Sequence, residues 1–388
     1  MRIRSNLTNK IFLILFSIVF VLNYSCKEEV VSSTDPMQFV LNTKNNKIKS
    51  VLNSIEQFEV QILYTHIIRR NDSVIFKDYS FQVDSLNYFY PASTVKFPAA
   101  VATLEKLNEN DSLDRNSRFY VEGDSIETTF TEAISAIFAV SNNEANNRLI
   151  EYLGQEDLNR RMKKRGVAPI RISHRLGYHF DDTATTPLVI YLNDSTTINY
   201  KGTVNPYPKK LELNKLKKGI GYIEDDSLLL EPFDFSLKNY YPIESQHALL
   251  KRIIFPENFN PEERFNLTDN QREFLLEAMH KLPRTVGYDP SIYFDGYSKF
   301  FLFGDTNENI PEYLKIYNKI GAAYGTLTDC AYILDSKNNV EFMLTATIHA
   351  NKNQIFNDNQ YEYDSIALPF LAEIGRQFYT YELNLKTH

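Results

Sequence analysis

Pro91-Ala92-Ser93-Thr94-Val95-Lys96-Phe97-Pro98 carries the only Ser-x-x-Lys of the chain. It leads into Ala99-Ala100-Val101-Ala102-Thr103-Leu104-Glu105-Lys106-Leu107, a run that favours helix. Ser93 suits a helix start. Side chains three residues apart share a helix face, so the Lys96 amine is predicted to lie against the Ser93 hydroxyl. A serine hydroxyl alone is a weak nucleophile. A neighbouring amine kept neutral by burial can take its proton. The helix N-terminus adds partial positive charge where an oxyanion would form. The same residues also suit a helix cap followed by a solvated lysine, and the tetrapeptide alone does not choose between them.

Upstream, the first residues read as a targeting segment. Arg2, Arg4 and Lys10 form a basic region, and Ile11 to Leu22 form an apolar run too short for an ordinary membrane span. The run ends at Asn23-Tyr24-Ser25-Cys26, which resembles a bacterial lipobox, with Asn23 where leucine is usual. This resemblance implies residues 1–25 as a lipoprotein signal peptide and a lipidated Cys26 as the mature N-terminus. Lys27-Glu28-Glu29 resembles a surface-export tag, and residues 26–36 read as a tether. The protein is then expected to be exported and membrane-anchored by lipid, on the periplasmic side or at the cell surface. With Cys26 lipidated, Cys330 has no partner for a disulfide and reads as a small core residue.

From residue 37 on, the patterning alternates between lobes. Phe39 to Ile55 has helical spacing, Phe58 to Ile68 and Val74 to Phe81 form a predicted hairpin turning at Asn71-Asp72, and the Ser93 helix follows. Thr131 to Val140, Glu144 to Leu153, Asp157 to Lys164 and Phe265 to Leu282 read as helices, the last capped by Thr268. Pro187 to Val204 reads as an inserted hairpin. Strands return at Tyr313 to Ala322, Thr326 to Asp335 and Val340 to Ile348, before a closing helix over Tyr361 to Leu383. Strands at both ends of the chain imply one shared sheet. The predicted fold is α/β, an α+β sandwich: residues 37–92 and 290–388 form the sheet lobe, and residues 93–289 a mainly helical lobe with an enlarged insertion.

Two further motifs follow in order. Ser141-Asn142-Asn143 lies at a helix break, where it also suits an ordinary turn. Lys319-Ile320-Gly321 opens a strand pair through Tyr324-Gly325-Thr326. With Ser93-Thr94-Val95-Lys96 this ordered set resembles the class A β-lactamase and penicillin-binding serine hydrolase family. The resemblance covers roughly residues 55–383, with an enlarged middle from about 181 to 260. It implies a class A β-lactamase-like antiparallel sheet flanked by helices, and acyl transfer at a β-lactam or peptidoglycan peptide amide. Ser93 would be the nucleophile and Lys96 its base. Ser141 would relay a proton to the leaving nitrogen, Asn143 would orient Lys96 and the substrate, and Lys319 would place positive charge near Ser141 and a substrate carboxylate. The backbone N–H groups of Ser93 and Ala322 would form the oxyanion hole, and Gly321 would let the substrate approach the strand edge.

Departures from that pattern are equally readable. The position of the family's deacylating glutamate falls on Leu176, and no Asp or Glu lies between Gly166 and Phe180. Ile320 replaces the motif hydroxyl, and residues 325–333 hold no Lys or Arg. A slow deacylation is therefore expected. His174 and His179 lie in the loop facing the presumed site, as polar surface residues or a replacement base. The net charge of −7 argues against nucleic acid. Lys209, Lys210, Lys215, Lys217 and Lys218 read as a solvated face. The histidines form no metal motif, so neither metal nor cofactor is expected. A true β-lactamase with another deacylation base, or a penicillin- or peptide-binding sensor that acylates once, stays open. Oligomeric state is not legible.

Overall fold

The computed structural model describes residues 35–71, 73–177 and 183–386. Cys26, the expected leader and nearly all of the tether lie outside the described residues. Two short helices, α1 (Pro36–Leu41) and α2 (Asn46–Leu52), and a single turn, α3 (Ile55–Phe58), stand where the periodicity predicts one helix. Asn45 explains the first break: its side chain accepts the Lys47 N–H and starts α2 afresh. The hairpin follows as β1 (Gln61–Arg70) and β2 (Ser73–Phe81).

The middle of the chain opens with α4 (Lys96–Leu107), then β3 (Arg118–Val121), β4 (Thr128–Thr129), α5 (Phe130–Val140), α6 (Asn143–Leu153) and α7 (Gln155–Lys164). The inserted hairpin is β5 (Leu188–Asn193) and β6 (Thr196–Tyr200). It joins β3 and β4 in a four-stranded sheet, so the lobe is less purely helical than its sequence pattern predicts. Short strands β7 (Lys217–Lys218), β8 (Gly221–Glu224), β9 (Ser227–Leu229) and β10 (Phe233–Asp234) lie beyond it. Strands of two to four residues are too short to leave a period-2 signature. Helices α8 (Ile243–Ile254) and α9 (Asp269–His280) close the lobe, α9 with the expected Thr268 cap completed by Gln271.

Strands β11 (Leu314–Ala323), β12 (Thr326–Asp335) and β13 (Val340–His349) return to the first hairpin, giving an antiparallel sheet ordered β11-β12-β13-β1-β2. Alternation sends Phe342 and Leu344 to one face and Met343 to the other. Phe342 and Leu344 pack on α1, α2 and the final helix. Met343 and Cys330 join the core of the middle lobe, and Cys330 is buried and free, as its isolation in the sequence predicts. After the short β14 (Ile355–Phe356), α10 spans Leu368–Lys386, later than the pattern predicts. Pro369 fits its first turn, where no N–H is needed. A π-helical turn over Tyr363–Ala367 leads into α10, and Tyr361 and Tyr363 line a cleft beside Ala322 and Ala323.

Candidate active site

Ser93 does not cap α4. It sits inside a 3₁₀ turn (Ala92–Val95), and Lys96 is the first residue of the α-helix. The correction has a local cause: Thr94 turns back, its N–H and hydroxyl both donating to the Pro91 carbonyl. Ala92, immediately before Ser93, has φ +48°, a left-handed backbone that non-glycine residues rarely adopt. Strain of this kind gathers at functional sites. The tight turn still brings the two side chains together, with Lys96 Nζ 2.9 Å from Ser93 Oγ.

The second motif arrives through a helix break. Ser141 ends α5 with φ +57°, and Asn142 restarts the chain as the cap of α6 by accepting the Ala145 N–H. This turn aims three acceptors at Lys96. Its amine donates to the Ser141 carbonyl, lies 3.2 Å from Ser141 Oγ and 2.7 Å from Asn143 Oδ1. Lys96 is 0% exposed, and burial lowers its pKa from the usual lysine range to about 7. A neutral amine can give its two N–H groups to the Ser141 carbonyl and Asn143, leaving its lone pair for the Ser93 hydroxyl.

Lys319 comes from β11, on the opposite wall. It is buried rather than an exposed strand lysine, with Nζ 2.8 Å from Ser141 Oγ and 2.9 Å from the Ile320 carbonyl. Burial pushes its pKa well down, and the nearby Lys96 adds to this. Beneath it, Asn318 donates to Asp329 at 2.8 Å and accepts from Lys299 at 2.6 Å, a fully buried network that fixes the strand. Ile320 points the other way, into the core under the final helix.

Gly321 has a packing task of its own. A Cβ there would stand 2.6 Å from the Pro91 carbonyl oxygen and 3.2 Å from the Ser93 nitrogen. The missing side chain lets the Ser93 turn press against β11. Gly321→Ala is expected to slow acylation of Ser93 by about 10²-fold, the cost of a misplacement near 1 Å, with little loss of folded protein. Labelling rates beside thermal melting would show it. Ala322 pairs with Leu327, one step from the two-residue turn whose flanking pair is Ala323 and Thr326. Alternation of the ladder then turns the Ala322 N–H off the free edge of β11, toward Ser93.

Leu176 stands at the same cleft. Asn147, one turn beyond Asn143 on α6, accepts the Leu176 N–H at 3.0 Å and donates to its carbonyl at 2.8 Å. The sequence reading missed this clamp, although the four-residue spacing puts Asn143 and Asn147 on one helix face. Arg175 pairs with Glu151 and donates to the Ala184 carbonyl, fastening the loop on its other side. His174 is neither surface nor available base. It is buried, one ring nitrogen bonds the Arg175 carbonyl and the other the Asn239 N–H, and burial holds its pKa near 4. His179 lies outside the described residues.

A cavity of about 420 Å³ opens beside Ser93, bounded by Asn143, Leu176 and Ala322. On its far side stand Tyr324, Tyr361 and Tyr363, which the sequence reading also did not mark. Ser93, Lys96, Ser141, Asn143, Lys319, Gly321 and Ala322 are therefore brought together, as their order in the chain predicts. Of the basic cluster, Lys218 departs: it is largely buried against Glu59, while Lys209, Lys210, Lys215 and Lys217 stay exposed.

Residues 44–203, which include Ser93, Lys96, Ser141 and Asn143, match the model of the β-lactamase enzyme family. Two solved structures share the architecture. A class A β-lactamase from Bacteroides cellulosilyticus is 14% identical over 88% of this chain and 98% of its own, with a TM-score of 0.51. The chromosome-encoded β-lactamase of Vibrio parahaemolyticus is 11% identical over 88% of this chain and 99% of its own, with a TM-score of 0.52. The chain has the fold of the class A β-lactamases, and residues 44–203 are similar to the β-lactamase enzyme family. No curated protein sequence matches it. The structure keeps the three motifs in contact, and Leu176 borders the same cavity as Ser93.

Proposed function

We propose that the chain is an active-site serine hydrolase that acylates Ser93 at the carbonyl of a β-lactam or cell-wall peptide amide and releases the acyl group slowly. The observation that carries this reading is the buried Lys96 amine, set between Ser93 Oγ and the acceptors of Ser141 and Asn143. Ser93 Oγ attacks the carbonyl carbon while its proton passes to Lys96. The oxyanion meets the N–H groups of Ser93 and Ala322. The carbon–nitrogen bond breaks as Ser141 gives its proton to the nitrogen and regains one from Lys96, with Lys319 holding the hydroxyl. Lys96 must start neutral, so acylation is expected to rise with pH through about 7 and to level off above it. Burst rates across pH 5 to 9, roughly two units either side of that value, would trace the ionisation.

Hydrolysis of the ester needs a base for water, and Leu176 offers none. This favours, as a second reading, a penicillin- or peptide-binding sensor that acylates once. Stopped-flow absorbance with a chromogenic cephalosporin, beside intact-mass spectra at matched times, tests both. A one-equivalent burst followed by slow turnover is expected. Rapid multiple turnover with no trapped acyl species would overturn slow release and favour a true β-lactamase with a base elsewhere.

The N-terminal sequence supports export and lipid anchoring at Cys26. Labelling by a palmitate analogue is expected in the full chain and absent in Cys26→Ala. Labelling that survives the substitution would sink this part.

A further inference from the structure

A second cavity, of about 1020 Å³, lies between α3, the start of β1, the end of β2, β7 and the link from β13 to β14. It has more than twice the volume of the cavity beside Ser93. Its walls carry backbone strain. Glu59 has φ +45°, Gln82 +51°, Lys215 +59° and Gln354 +57°, and all of them line it. Long side chains rarely adopt this left-handed backbone, and such strain gathers at functional sites. Ala92 and Tyr324, at φ +48° and +52°, carry the same mark in the Ser93 cavity.

The charges of the lining largely answer one another. Lys218 is bonded to Glu59, and Lys215 stands 3.8 Å from the same carboxylate. Asp84 accepts the Leu86 N–H at 2.9 Å and the Asn87 side-chain amide at 2.8 Å. Glu56 and Lys217 add one charge of each sign. An ion of either sign would meet a like charge here as well as an opposite one. The other polar groups are mostly carboxamides. Gln57, Gln82 and Gln354 are exposed and Asn87 is half-buried. Asn351 is 5% exposed and donates to the Ile355 carbonyl at 3.1 Å, while its Oδ1 is buried with no partner among the described residues. A buried acceptor left unmet is costly and calls for a donor.

A carboxamide offers donors and an acceptor at one planar end. It matches hydroxyl groups, which also do both. It matches an acetamido group still better, whose N–H and carbonyl can pair with it at two points. His349 and Phe356 stack with centroids 5.9 Å apart and line the same cavity, which adds a flat surface for the C–H face of a ring. The site also borders the reacting cavity. A Cβ on Gly325 would stand 2.9 Å from Asn351 Cβ and 3.2 Å from both His349 Cε1 and Tyr361 Cδ1, so the β11–β12 turn separates the two.

We propose that this second cavity binds an uncharged N-acetylated saccharide, held by the carboxamides of Gln57, Gln82, Asn87, Asn351 and Gln354. Its test reads binding and not acylation, so it stands or fails independently of Ser93 as nucleophile.

Triacetylchitotriose and its deacetylated form, chitotriose, differ only in their acetyl groups. In ligand-observed NMR titrations of the purified protein, at a pH where the free amines are charged, the acetylated sugar is expected to bind at least tenfold more tightly. The double substitution Gln57→Glu and Gln82→Glu keeps side-chain shape at two exposed positions and removes the amide donors. It is expected to weaken binding fivefold or more with an unchanged thermal melt, and Gln354→Glu alone is expected to act in the same direction. Tyr361→Ala, in the Ser93 cavity, is expected to leave the affinity unchanged. No binding of the acetylated sugar, or binding of chitotriose that is as tight or tighter, overturns the proposal. So does an affinity that none of the three glutamine substitutions moves, or one that falls only in Tyr361→Ala, which would place the sugar beside Ser93 instead.

Discussion

Ser93→Ala is expected to abolish covalent labelling by β-lactams, and Lys96→Met to slow it by about 10²- to 10⁴-fold, the usual worth of a general base. The two substitutions act on different things. The first removes the attacking atom. The second leaves the hydroxyl in place and removes the group that accepts its proton, so a trace of adduct at long times is expected only in Lys96→Met. Methionine keeps much of the lysine volume and none of its charge, and Lys96 is completely buried. Removing the desolvated amine should therefore leave the melting temperature unchanged or raise it. A slow enzyme that is also less stable would point to a structural lysine. Adduct mass, its peptide location and a thermal melt decide among these outcomes.

Leu176→Glu is expected to raise release of the acyl group by about 10²- to 10⁴-fold while changing acylation little. The argument runs through Asn147. Its side chain grips both the N–H and the carbonyl of Leu176, so the backbone there is fixed whatever side chain it bears. The site borders the same cavity as Ser93. A carboxylate placed at that position can draw a proton from an incoming water, and leucine can only exclude it. Single-turnover decay of the acyl-enzyme, followed by mass, gives the rate directly. Decay no faster than in the unsubstituted protein would mean that water, and not a base, is missing.

The parts of the site that were legible in the sequence are those carried by short local motifs, each ambiguous alone and readable through their order along the chain. Ser93 and Lys96 share a short tight segment, Ser141-Asn142-Asn143 breaks a helix, and Lys319 to Gly321 precedes a two-residue turn. The strands β11 to β13 were readable because long apolar runs end at clear turn residues. What escaped depends on contacts between distant segments. Asn147 gains its meaning only when Leu176 folds against α6. His174 looks exposed in a polar loop, yet Asn239, far along the chain, buries it and fills its acceptor nitrogen. Tyr361 and Tyr363 read as the start of the closing helix, but only a π-helical turn from Tyr363 precedes α10, and both side chains line the cleft. The Asn318–Lys299–Asp329 network has no sequence signature, since each member alone resembles a surface residue.

The central sheet also closes across the whole chain. Residues 61–66 of β1 pair with residues 342–347 of β13, so the middle lobe is, to the sheet, one very long loop. Such non-local pairing makes folding slow, because chain entropy is lost before the contacts that reward it form. Until β13 arrives, the inner edge of β1 stays unpaired and open to other strands. The same topology makes growth of the middle lobe inexpensive at equilibrium. Closure entropy rises only with the logarithm of loop length, about 0.6 kcal/mol for each doubling. A lobe carrying four extra strands between β6 and α8 therefore strains the finished sheet very little, and its burden falls on the time the chain needs to close.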